Sequence, residues 1–222
     1  MSSEIAAFFR VEGALISRPT LAAAGYLIAN SQALTDRFTR LTGIAMALPL
    51  SFGGPLKDST LASRFSWMGT RGMSDDRLSV LGEEYATRYV IPTLKEVGVK
   101  LLDEARRRNE RVVLVSDNLD VIMQPVAKHL GVADLVCNHL EMSNGKATGR
   151  LADPVISGHL GGAWAREYAT ENGFDLTRSS VYGASSDDAL LMSAIGKPCA
   201  VTPDRALRRL ARDNDWPVVE AG

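Results

Sequence analysis

Ile5-Ala6-Ala7-Phe8-Phe9-Arg10-Val11-Glu12-Gly13-Ala14-Leu15 is the stretch on which the fold turns. Five apolar residues run straight into a turn that carries a cation, a carboxylate and a glycine. A short apolar run closed by a turn signal predicts a buried strand. Val112-Val113-Leu114-Val115, Leu135-Val136-Cys137, Ser180-Val181-Tyr182 and Cys199-Ala200-Val201 have the same texture. Helical patterns separate them: Leu94, Val97, Leu101, Leu102 and Ala105 form one apolar stripe, and Pro92 is expected to start that helix. Further helices are expected over 119–130, 162–170, 187–195 and 203–212. Asn144-Gly145 between two short strand patterns predicts a hairpin. Residues 16–90 read almost wholly as helices, with Ser74-Asp75-Asp76 as a helix start. Alternating strands and helices predict an α/β fold with a parallel sheet covered on both faces. The expected division is a core of 1–15 and 91–222 with an inserted helical cap of 16–90.

The 222 residues are 45% hydrophobic with a formal net charge of -1, which supplies no electrostatic footprint for nucleic acid or an anionic membrane. No apolar run reaches the roughly 18–20 residues that span a bilayer, so no transmembrane segment is expected. With no basic leader, the expected location is cytoplasmic. Cys137 and Cys199 sit in apolar runs and read as small buried hydrophobes. The cluster Arg106, Arg107, Arg108 and Arg111 ends a helical pattern, where positive charge suits the helix C-terminus.

In open α/β sheets, sites form beyond the carboxyl ends of the strands. Four loops therefore matter: after Phe9, after Val115, around 157–161, and after Tyr182. In this order they resemble the four motifs of the haloacid dehalogenase (HAD) superfamily, in its phosphoserine-phosphatase-like branch. The resemblance extends over nearly the whole chain and includes Arg111-Val112-Val113-Leu114-Val115-Ser116, the hairpin Asn144-Gly145-Lys146-Ala147-Thr148-Gly149-Arg150, and Ala194-Ile195-Gly196-Lys197-Pro198. It implies a Rossmann-like core with an inserted cap, a nucleophilic Asp that becomes an aspartyl-phosphate, and a Mg²⁺ ion.

Matched motif by motif, the implied site is depleted. Arg10 holds the position of the nucleophilic Asp, and a guanidinium is neither a nucleophile nor a metal ligand. Glu12 holds the position of the second Asp and keeps a carboxylate. Ser116 matches the hydroxyl that holds the phosphoryl group, and equally suits an N-cap. Asp117 follows, where the family has a small residue. Gly161 holds the place of the Lys, with His159 nearby as a partial substitute or a plain loop residue. Ala184 holds the place of the metal-binding Asp. Asp188 is retained, and also suits the first turn of a helix.

With nucleophile, metal ligand and Lys all replaced, the leading expectation is a catalytically inactive HAD-like protein, not an enzyme, with no Mg²⁺ site and a structural, regulatory or protein-binding role. Its partner would be an unknown protein or a second copy, docking through the apolar residues of 42–54. One alternative is a metal-independent anion sensor using Arg10, Ser116 and His159 on a small phosphate or carboxylate. Another is a phosphomonoester hydrolase with rearranged groups, Glu12 acting as nucleophile or base. Without a metal, Arg10 is expected to lie between Glu12 and Asp188 as their counter-ion.

Overall fold

The computed structural model describes residues 3–17, 20–31, 45–50, 58–157 and 161–221. Six strands form a parallel sheet in the order β3-β2-β1-β6-β7-β8. They are β1 (Ala6–Arg10), β2 (Arg111–Leu119), β3 (Asp134–Asn138), β6 (Ser180–Gly183), β7 (Lys197–Val201) and β8 (Val218–Val219). β4 (Leu140–Ser143) and β5 (Lys146–Leu151) form the separate antiparallel hairpin, turning at Asn144 (φ 50°) and Gly145 (φ 71°). The expected Rossmann-like α/β fold is therefore present.

β1 is central because all five of its residues are buried. Ala7 and Phe9 face one core, with Phe9 stacked on Tyr182 at 4.2 Å between ring centroids. Ala6 and Phe8 face the other, against Val113, Val181 and Leu191. A strand buried on both faces needs the continuous apolar run seen in the sequence. β1 pairs with β2 in the register Arg10↔Val115, and with β6 in the register Phe9↔Tyr182. The chain winds outward from β1 in both directions, so β1 stands at the point where strand order reverses. Ligand crevices form at that point.

Helices α4 (Glu96–Arg107), α5 (Asp120–Leu130), α6 (Gly162–Asn172) and α8 (Arg205–Asp213) follow or precede these strands. Between β1 and β2 lie α1 (Thr20–Ala29), α2 (Ser59–Ser66) and α3 (Asp75–Tyr85), with residues 45–50 also helical. Asp58 and Ser74 cap α2 and α3 by accepting from Leu61 N–H and Arg77 N–H. Two helical expectations are corrected. Pro92 lies in a short 3₁₀ turn, Ile91–Thr93, and α4 starts only at Glu96, because Lys95 N–H is tied to the Leu15 carbonyl at 2.8 Å. The helix expected over 187–195 is a 3₁₀ turn followed by the four-residue α7 (Ala189–Met192), and Gly196 N–H then bonds the Leu176 carbonyl. Of the apolar stretch 42–54, Met46 and Leu48 are exposed and Ala47 is buried, while 42–44 and 51–54 lie outside the described residues. No helix among the described residues is long and apolar enough to cross a membrane. Burial pushes the Cys137 thiol up to about 12, as befits a packed, unreactive side chain.

α4 sets the height of the loop after β1. A Cβ added to Gly98 would meet the Ala14 carbonyl oxygen at 2.3 Å. Gly98→Ala is expected to cost about 1–3 kcal/mol, because backbone rather than a flexible side chain has to move. Urea denaturation measures this, and an unchanged midpoint would refute the close approach.

Candidate functional site

The loop after β1, Val11–Leu15, is an open turn rather than a regular helix, with Gly13 at φ +90°. A Cβ there would lie 2.6 Å from that of Ala184, so this loop and the one after β6 touch directly. Ile16 N–H to the Val11 carbonyl (3.0 Å) and Gly13 N–H to the Ile16 carbonyl (2.8 Å) close the turn. Lys95 Nζ donates to the Gly13 carbonyl and to Thr202 Oγ1 (3.1 Å), joining this loop to the end of β7. Burial draws the Lys95 ammonium below its ordinary pKa.

Arg10 ends β1 with its side chain 3% exposed. Its Nε donates to Asp188 Oδ1 and its Nη2 to Asp117 Oδ1, both at 2.7 Å. Burial opposes the charge on this guanidinium, but Asp117, Asp188 and Glu12 outweigh it and hold the pKa above the usual arginine range. Asp188 Oδ2 accepts the N–H groups of Ala184 and Ser185, each at 3.0 Å, and so shapes the loop after β6. The expected counter-ion role of Arg10 is thus met toward Asp188. Toward Glu12 it is corrected: the second ion pair is made with Asp117.

Glu12 instead reaches across to the end of β2. Its Oε1 accepts from Ser116 Oγ (2.6 Å) and Asn118 Nδ2 (2.8 Å), and its Oε2 from Asp117 N–H (3.1 Å). The extra methylene of Glu supplies this reach. Ser116 is fully buried, and its Oγ also accepts from Asn118 N–H at 3.1 Å. Asn138, at the end of β3, buttresses the loop by donating to the Asp117 and Ile156 carbonyls and accepting from Ile156 N–H, each at 2.8 Å.

Asp117 stands between these groups at the end of β2. Burial, opposed by Arg10 and reinforced by Glu12, pushes its carboxyl up to about 7. Its side chain remains 19% exposed, and among the described residues Oδ2 makes no hydrogen bond. The site therefore gathers Arg10, Glu12, Ser116, Asp117 and Asp188 at the ends of β1, β2 and β6. Ala184 is buried beside them. Gly161 is the N-cap of α6, with open space around any added Cβ. His159 lies outside the described residues. Asp117, Asn118, Lys95 and Asn138 were not singled out as site residues by motif matching. Asp117 alone carried a signal, a carboxylate where a small residue is usual.

Mg²⁺ requires hard oxygen donors in a near-octahedral set. The residues present do not fit it. Both oxygens of Asp188 are taken by N–H donors, Asp117 Oδ1 by the guanidinium, and Ala184 offers no side-chain oxygen. The Arg10 cation lies between these carboxylates and would repel a second cation.

A model of the haloacid dehalogenase-like hydrolases matches residues 11–193. The "inhibition of morphological differentiation protein" of Streptomyces azureus is 28% identical over 151 residues, which are 68% of this chain and 54% of that protein. Phosphoserine phosphatase SerB1 of Mycobacterium tuberculosis is 26% identical over 147 residues, 66% of this chain and 48% of that one. A protein of unknown function from Bordetella pertussis shares the fold with a TM-score of 0.83 at 19% identity, over 99% of this chain and 100% of its own. The chain spans about half the length of the first curated relatives it matches. Further relatives are named probable phosphatase, histidinol-phosphatase and phosphoserine phosphatase. The similarity lies with the phosphoserine-phosphatase-like branch, as the motifs implied. These findings overturn the expectation that the chain is not an enzyme, since the matching model is one of hydrolases and several of the relatives are named phosphatases. The site keeps the carboxylates of Glu12, Asp117 and Asp188.

Proposed function

Because the chain belongs to the haloacid dehalogenase-like hydrolase family, we propose that it is a phosphomonoester hydrolase with rearranged catalytic groups, Glu12 serving as base and Asp117 as acid. The observation that carries this reading is the posture of Glu12. Three donors fix its carboxylate at the strand ends, while Oε2 accepts only one of them and keeps a lone pair for a proton. Residues 16–90 would act as the cap over this crevice.

The reaction is direct hydrolysis. A water oxygen attacks phosphorus, and its proton passes to Glu12 Oε2. The bond from phosphorus to the ester oxygen breaks, and the leaving oxygen takes the proton of the Asp117 carboxyl. Inorganic phosphate and the alcohol depart, and exchange with solvent returns both carboxyls to their starting states. Arg10 balances Asp188 from the start and Asp117 once it has given up its proton, a charge role that a divalent cation fills in the family's usual scheme. A carboxyl pushed up to about 7 by burial can hold its proton for the leaving group. The relatives' names support small phosphomonoesters as the substrate class.

The test is phosphate release from phosphoserine, histidinol phosphate and 4-nitrophenyl phosphate across pH 5–9. Release is expected from at least one of them. The rate should fall as pH rises through about 7, because Asp117 must carry its proton to act. A rate that climbs steadily above pH 7 would rule out Asp117 as the acid, and no release from any of the three would sink the proposal.

A further inference from the structure

We propose a second anion site, lined by none of the strand-end residues, at the junction of the helical insertion and the hairpin, for a small organic dianion with a flat apolar body. A groove of about 370 Å³ lies between α2, the turn that follows it, and β5. Arg64, Phe65, Met68, Arg71, Arg150 and Leu151 line it. That volume is of small-molecule size. Met68 is 46% exposed beside Phe65, and together they offer an adaptable apolar wall.

The charge at this junction is out of keeping with the chain as a whole. A second groove of about 510 Å³ adjoins the first, shares Arg71, Thr148 and Arg150 with it, and adds Lys146. Of the nearby carboxylates, Asp153 is engaged by Arg64 at 2.7 Å and Glu141 accepts the Thr148 hydroxyl at 2.7 Å. Among the described residues, Arg71, Arg150 and Lys146 have no carboxylate partner. Unpaired guanidinium groups beside an apolar wall match a ligand that presents two anionic groups and a ring. Arginine binds carboxylate or phosphate through paired N–H donors.

The two sides of the groove are already held in register. Gly72 N–H bonds the Ala147 carbonyl and Ala147 N–H bonds the Met73 carbonyl, both at 2.8 Å. A ligand spanning Arg71 and Arg150 would add to this join and fasten the insertion to the core hairpin.

The test uses naphthalene-1,5-disulfonate as probe and inorganic sulfate as the arm that lacks the apolar body, both titrated calorimetrically. The disulfonate should bind saturably and sulfate about tenfold more weakly or worse. Arg71→Glu with Arg150→Glu should weaken disulfonate binding about tenfold or more, while Glu12→Gln leaves it unchanged. Both arginines are exposed, and circular dichroism melts of the double variant verify its fold. No saturable binding in the millimolar range, or equal binding by wild type and the folded double variant, would overturn the proposal. Equal binding of sulfate and disulfonate would overturn the apolar part of it. A change in binding in Glu12→Gln would place the probe in the strand-end crevice and refute a second site.

Discussion

Arg10→Leu is expected to destabilise the fold by about 3–5 kcal/mol, the range for removing one partner of a buried ion pair. The guanidinium is 3% exposed and contacts Asp188 and Asp117 at 2.7 Å. Without it, Asp188 keeps its two backbone donors but loses its counter-charge, and Asp117 loses the guanidinium that donates to its Oδ1. Leucine fills part of the volume and supplies no charge. The deficit also acquires a pH dependence. Asp117 in the folded protein already titrates near 7, whereas an unfolded Asp titrates near 3.9. A carboxyl whose folded pKa is raised favours the fold while protonated, below the unfolded pKa. That contribution is lost as pH rises through the folded value. Arg10 is the group that draws Asp117 down, so its removal lifts the Asp117 pKa further. The Arg10→Leu deficit should therefore grow as pH rises through about 7, where Asp117 of the wild type gives up its proton and that of the variant keeps it. Urea melts of both proteins at pH 5 and pH 8 measure it. A loss below about 1 kcal/mol at both pH values would mean that the cluster contributes nothing of the kind.

Glu12→Gln carries the largest expected effect on activity. The substitution keeps the size of the side chain and removes the proton-accepting charge. Its amide oxygen can still accept from Ser116 Oγ or Asp117 N–H, so the loop after β1 keeps one anchor. General base catalysis contributes about 10²–10⁴-fold, and kcat is expected to fall by that factor. Stability should change far less than in Arg10→Leu. Activity that persists within about threefold would remove Glu12 from the mechanism, since so small a change is under 1 kcal/mol of barrier.

The sheet was legible because its strands are buried on both faces, and such strands leave continuous apolar runs such as Ala6–Phe9 and Val112–Val115. The hairpin was legible because Asn144 and Gly145 are residue types that tolerate positive φ. The wiring of the site was not. Motif position places Arg10 and Glu12 two residues apart on one turn and suggests that they pair. The backbone at Glu12 is extended, with φ −67° and ψ 117°, and its longer side chain crosses to Ser116 and Asn118. Arg10 then meets Asp117, whose place at the end of β2 is fixed by strand register and by Asn138. Lys95 shows the same limit: its contact with the Gly13 carbonyl spans 82 positions of sequence, and no local pattern carries it. The inference from missing motif residues to missing activity failed for a related reason. A motif records which side chains the usual chemistry needs, and the Asp117 carboxylate lies outside that record.

The central claim is that this site works through its own arginine and two carboxylates. The most direct measurement is the initial rate of 4-nitrophenyl phosphate hydrolysis by the wild-type protein at pH 6, in excess chelator and again in millimolar Mg²⁺. The account predicts turnover in chelator, with Mg²⁺ changing the rate by less than about twofold, because Arg10 already occupies the cation's place between Asp117 and Asp188. Turnover that appears only on adding Mg²⁺, or none under either condition, would contradict it.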